Sequence, residues 1–224
     1  MEAASWLFQT VSSWDWAFIG KTILGAGLGS AAVQALAGVL RDRRERADRA
    51  GYMAMRLAVQ LERFASECAD LILSNKDAPH PPDQEFPNWD VHLPKLAEYP
   101  SDADGWRSID RRFAGRALDL ANRIDGSRSI IRATAEYNED NLGGEVTIQA
   151  ADRALEALEI AKGLRRVHGV QAEVPVWDYE STLNSERTKV IDDREDIRKR
   201  REEFGKRVGE YFLASGRGEP NASA

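Results

Sequence analysis

The chain has 224 residues, 42% hydrophobic and 30% charged, with a formal net charge of −6. That length suits one domain, and charges of both signs give no global attraction to nucleic acid. The single cysteine, Cys68, excludes an internal disulfide and a paired-cysteine zinc site, and both facts suit a reducing compartment.

Residues 1–21 carry Trp6, Phe8, Trp14, Trp16 and Phe18, rings that favour the headgroup layer of a membrane, and are expected to form an interfacial segment. Residues 22–40 follow as nineteen residues without a formal charge. At about 1.5 Å per residue this run measures about 28 Å as a helix, close to the roughly 30 Å of a hydrocarbon core. It reads as a single transmembrane helix, although glycine, alanine, serine and Gln34 dilute its hydrophobicity. Arg41, Arg43, Arg44, Arg46 and Arg49 come directly after it. Basic residues stay on the cytoplasmic side, so the N-terminus is expected outside a plasma (inner) membrane and the long C-terminal part in the cytoplasm. Acidic Glu2 and Asp15 before the run, with arginines behind it, argue for an uncleaved anchor rather than a signal peptide.

The glycines of this run invite two enzymatic readings, and both fail. A dinucleotide fingerprint needs glycine where Ser30 stands, and a phosphate-binding loop ending in Gly20-Lys21-Thr22 needs one where Asp15 stands. In an apolar helix, Gly25 and Gly29 instead form a small face through which two copies could approach, giving a homo-oligomer through the membrane helix.

Residues 41–214 are expected to form an all-α body, an antiparallel bundle of about four helices in which the apolar stripes bury one another. The first helix continues from the anchor to Leu73, with a coiled-coil-like seam of Leu57, Leu61, Phe64, Cys68 and Leu71. Residues 75–101 hold six of the eight prolines and read as a long extended connection that lies along the bundle, its apolar groups tucked in. The second helix starts at Ser101 or Asp102 and carries Trp106, Ile109, Phe113, Ala117, Leu120, Ile124 and Ile131 toward a turn at Asn138 to Gly144. The third, Glu145 to Val167, is assigned the stripe Ile148, Ala151, Leu155, Leu158 and Ala161 or Lys162. The fourth, Val176 to Ala214, is assigned Val176, Tyr179, Leu183, Val190, Ile197, Phe204, Val208 and Tyr211. Residues 215–224 read as a disordered tail.

Catalytic signatures are missing: no nucleophile elbow, no nucleotide loop and no histidines at ligand spacing on a helix. A loop metal site can be drawn from His80, Asp83, Glu85, Asp90 and His92, but solvated side chains explain those residues as well. No cofactor is therefore expected. The run Arg198 to Arg201 is matched by acids four residues away (Glu195 with Lys199, Asp196 with Arg200, Glu202 with Lys206, Glu203 with Arg207), which fits a solvated helix and not a nucleic-acid site.

These features predict a non-enzymatic protein, held at the lipid bilayer by Trp14, Trp16, Gly25, Gly29, Arg41, Arg43 and Arg44, that recruits or senses an unknown cytoplasmic protein. Phe86, Trp89 and Tyr99 in the proline-rich segment are the expected partner site. The alternative is an oligomerising, pore-forming or bilayer-perturbing effector gated by its cytoplasmic bundle. The layout resembles that of small bacterial proteins with one N-terminal membrane helix and a helical cytoplasmic body, and the likeness carries no activity with it.

Overall fold

The computed structural model describes residues 28–83, 86–171 and 177–215. The described residues hold no strand. Their helices are α1 (Leu28–Lys76), a short α2 (Ala103–Ser108), α3 (Arg111–Tyr137), α4 (Leu142–His168) and α5 (Tyr179–Ser215), with a 3-10 turn at Glu139–Asn141. The chain divides into two compact units between Arg49 and Ala50.

In the first unit the described residues are all helical, and the side chains from Val33 to Arg49 are exposed. Arg41 bonds Glu45 at 3.0 Å, a pairing four residues apart that supports an exposed helix. Residues 22–27 of the expected membrane span lie outside the described residues. Among the described ones no helix is long and apolar enough to cross a membrane, so the structure lends the predicted span no support.

The second unit is built on the seam of α1. Leu57, Leu61, Phe64, Cys68 and Leu71 are all buried there, joined by Met53, Ala54, Ala58 and Ala65. The stripe of α3 is equally faithful to its spacing, with Phe113, Ala117, Leu120, Ile124 and Ile131 inside. One break was not expected: the second helix stops at Ile109 and restarts at Arg111. Asp102 caps α2 by accepting the Asp104 and Gly105 amides, and Asp110 caps α3 by accepting the Arg112 amide at 2.9 Å. A second capping carboxylate competes for the chain and starts a new helix.

α4 is the central helix, and its expected stripe holds at Ala151 and Ala161, both fully buried, but not at its large residues. Ile148, Leu155 and Leu158 are only half-buried, while Val146, Ala150, Ala154, Ala157, Ile160 and Leu164 are fully enclosed. Neighbours on three sides explain the broad buried face, since its many alanines let helices approach closely. Arg116 and Arg123 of α3 reach Glu159 and Glu156 at 2.9 and 2.7 Å, the order of an antiparallel pair. Glu62 of α1 takes both arms of Arg165, at 2.7 and 2.8 Å. α5 runs antiparallel along α4 through Lys162 with Glu180, Asp152 with Arg187 at 2.5 Å, and Glu145 with Arg194 at 3.0 Å. Gly169, at a φ of 65°, ends α4 in the left-handed conformation that favours glycine.

α5 departs from the expectation that every stripe is buried. Leu183 is enclosed and Val190 half-buried, but Arg194 already lies level with the first turn of α4. Beyond it Ile197, Phe204 and Tyr211 are exposed.

Candidate functional site

Before α2 the proline-rich segment runs from Pro87 as an extended strap. The Asn88 and Trp89 amides turn back to the Pro79 and Pro87 carbonyls, at 3.1 and 2.9 Å, but prolines donate no amide and the extended chain beyond Trp89 needs partners elsewhere. Side chains of the bundle supply them. Asn75, buried near the end of α1, donates to the Asp90 carbonyl and accepts the Asp90 amide, both at 2.8 Å. Gln60 donates to the Glu98 carbonyl at 3.2 Å and Arg128 to the Pro94 carbonyl at 2.9 Å. The strap thus returns along α1 while leaning on α3.

Its aromatic groups fasten the two ends. Phe86 and Trp89 stand 6.2 Å apart, and the Trp89 ring lies over Gly143 in the first turn of α4, where a Cβ would meet it at 2.7 Å. Tyr99 belongs to the other end: it donates to the Ala117 carbonyl at 2.6 Å and meets Trp106 edge-on, centroids 5.6 Å apart. Burial pushes its hydroxyl up to about 12. The structure therefore brings Phe86 and Trp89 together and sets Tyr99 elsewhere. Trp89 and Tyr99 pack against the core.

Between these fastenings a pocket of about 330 Å³ opens between strap and α3. Val91, Leu93, Ile131 and Ala135 give it an apolar lining, and His92, Lys95, Arg128 and Arg132 bring cationic or basic groups. This size falls at the lower end of small-ligand sites. Arg128 is held in place, donating to Asp125 at 2.7 Å as well as to the strap. His92 is tied locally to Asp90 through both its amide and its ring Nδ1. Lys95 and Arg132, one on each wall, form no ion pair among the described residues. The lining offers a positive rim over an apolar floor and carries no hydroxyl, thiol or carboxylate. That chemistry is complementary to anionic, partly apolar groups.

Lys95, Arg128 and Arg132 were not singled out from sequence. A signal existed: Arg128 and Arg132 sit one turn apart at the edge of the stripe that ends in Ile131. Of the other sequence-derived sites, Trp14, Trp16 and Gly25 lie outside the described residues, as does Glu85. Gly29 lies in the first turn of α1, and Arg43 and Arg44 are exposed on it. Among the described residues no three potential ligands come together around a metal position. Cys68 is sealed in the core, where burial pushes its thiol far above the usual range. His168 accepts the Asp110 amide at 3.3 Å through Nε2, and burial lowers its pKa against the pull of the Asp110 carboxylate. No family model, curated protein or solved structure matches the chain.

Proposed function

We propose that this protein is a non-enzymatic recruitment module, tethered to a membrane through its N-terminal segment, and that the pocket between strap and α3 receives an acidic, partly apolar segment of a cytoplasmic partner. The observation that carries the reading is the pairing of Lys95 and Arg132 across an apolar floor. Cations beside a dry surface attract a carboxylate and leave an apolar neighbour room to bury. Phe86, Trp89 and Tyr99 then act by holding the strap over the pocket. The tether rests on the uncharged run 22–40, the tryptophans before it and the arginines after it.

Crosslinking with mass spectrometry on the full chain in native membranes tests this reading, because Lys95 is itself a crosslinkable amine. The wild type should join one distinct protein through Lys95, by a segment containing aspartate or glutamate beside apolar residues. Arg132→Glu, an exposed change, should cut that product about tenfold, the equivalent of about 1.4 kcal/mol. Undiminished crosslinking in the variant refutes the pocket, and release of the protein by carbonate washing refutes the tether.

A further inference from the structure

The outer half of α5 carries a feature that recruitment does not use. Leu183, Val190, Ile197, Phe204 and Tyr211 recur every seven residues, so one stripe runs the length of the helix. Its first part is covered by α4. α4 begins at Leu142, and Arg194 already bonds Glu145 and the Asn141 carbonyl, so nothing of α4 remains to cover the stripe beyond Arg194. Ile197 and Phe204 are 47% and 66% exposed.

Of the four acid-to-base pairs that spacing predicts along this stretch, Glu195 with Lys199 forms and the other three do not among the described residues. Lys199 meets Glu195 and Asp196, at 3.5 and 3.8 Å, and Arg198 reaches Glu195 and Glu202, at 3.7 and 3.9 Å. Arg200, Arg201 and Arg207 form no ion pair among the described residues. At about 100° per residue, these three arginines lie within about 60° of Phe204 around the helix, whereas Glu195, Glu202, Glu203 and Glu210 lie about 100° or more away. Beyond Arg194 the face that exposes Ile197 and Phe204 is thus also the cationic face; Asp196 lies at its flank, about 80° from Phe204, and of the acids on α5 near it only Asp193, one turn before Ile197, shares the face.

We propose that this face docks on an anionic lipid surface. A packed helix would enclose Arg201, which falls between the Ile197 and Phe204 rungs, and would need an acid fixed opposite it. Lipid phosphates and carboxylates meet an arginine at any register. The long arginine stems let the guanidinium groups reach the headgroups while Ile197 and Phe204 enter the acyl boundary. This contact is separate from the N-terminal tether and lays the end of the body against the membrane.

The test uses the full chain reconstituted with vesicles of phosphatidylcholine, alone or mixed with phosphatidylserine. An environment-sensitive fluorophore is placed on Val208→Cys; Cys68 is buried and stays unlabelled. Emission should shift to the blue only with phosphatidylserine. In R200E/R201E/R207E the partitioning of this segment should fall by more than about a hundredfold, since each cation lost at an anionic surface counts for about fivefold and each new carboxylate adds repulsion. Phe204→Ser, with every arginine in place, should also weaken the shift. Equal emission on both vesicles, or a shift that survives both variants, overturns the proposal. A lipid-free shift that grows with protein concentration assigns the face to a second copy and overturns it as well.

Discussion

Gly163 lies in the interior of α4, where helix propensity alone favours alanine by about 1 kcal/mol. The structure reverses that sign. A Cβ built on Gly163 would stand 2.0, 2.4 and 2.9 Å from Cε1, Cζ and Cδ1 of Phe113, so the α3 ring occupies the space a side chain at this position would need. An aromatic ring cannot bend aside. Either Phe113 leaves the core, losing about 2 to 3 kcal/mol of burial, or α3 and α4 part at an overpacking cost of about 1 to 3 kcal/mol. After the gain in propensity, Gly163→Ala should be destabilised by about 1 to 2 kcal/mol. With a urea slope of about 2 kcal/mol per molar, the midpoint read by far-ultraviolet circular dichroism falls by about 0.5 to 1 M. Gly115→Ala and Gly126→Ala on α3 provide the contrast, because a Cβ at either meets nothing within 4 Å. Each should gain about 0.5 to 1 kcal/mol. Adding Phe113→Leu to Gly163→Ala should recover part of the loss. A Gly163→Ala protein as stable as the wild type would refute the reasoning.

Asn75→Ala removes both hydrogen bonds to the Asp90 backbone and should cost about 1 to 2 kcal/mol, with faster amide exchange at Asp90 than at Leu120; unchanged exchange at Asp90 would show that the strap is held elsewhere. His168 has its pKa lowered by burial in the folded state, so the unfolded chain takes up the proton first as the solution is acidified. Its contribution is whole above about pH 6.5 and is lost as the pH falls through the folded value. Thermal melts of the wild type and His168→Gln at about pH 7.5 and about pH 5 should show the smaller acid loss in the variant, and equal losses would exclude His168 as a source. Cys68 should resist iodoacetamide in the folded protein and react fully in urea, because a buried thiol stays protonated and covered; rapid alkylation without denaturant would mean that α1 opens readily.

Spacing located every long helix because large apolar side chains dominate the seams of α1 and α3. Leu57, Leu61, Phe64, Cys68 and Leu71 could not be exposed together without leaving a naked stripe, and they are buried together. The same habit misread α4, where Ile148, Leu155 and Leu158 outweighed smaller neighbours. Ala150, Ala154 and Ala157 matter for how near another helix can come, which their hydrophobicity does not advertise. The break at Asp110 was hidden because Ile109 and Phe113 keep a helical interval across it. At the candidate site, ring size drew attention to Phe86, Trp89 and Tyr99. Lys95 and Arg132 stand 37 positions apart in the chain, and only the fold makes them face one pocket. Spacing on α5 indicated which charges could meet, but rotamers decided which did.

The ion pairs that join the helices differ widely in how much chain they enclose. Those of α4 with α3 and α5 link residues 18 to 49 positions apart. Those that fasten α1, Glu62 with Arg165 and Lys76 with Glu186, span 103 and 110. Short loops close faster than long ones, so α3, α4 and α5 have the means to assemble as neighbouring hairpins before α1 can be captured. On a ribosome the order of appearance is the reverse. α1 emerges with Leu57, Leu61 and Phe64 uncovered and must wait for about a hundred further residues, at roughly 5 to 20 per second, before its cover exists. For several seconds of every synthesis, the best-buried surface of the finished protein is its most exposed one.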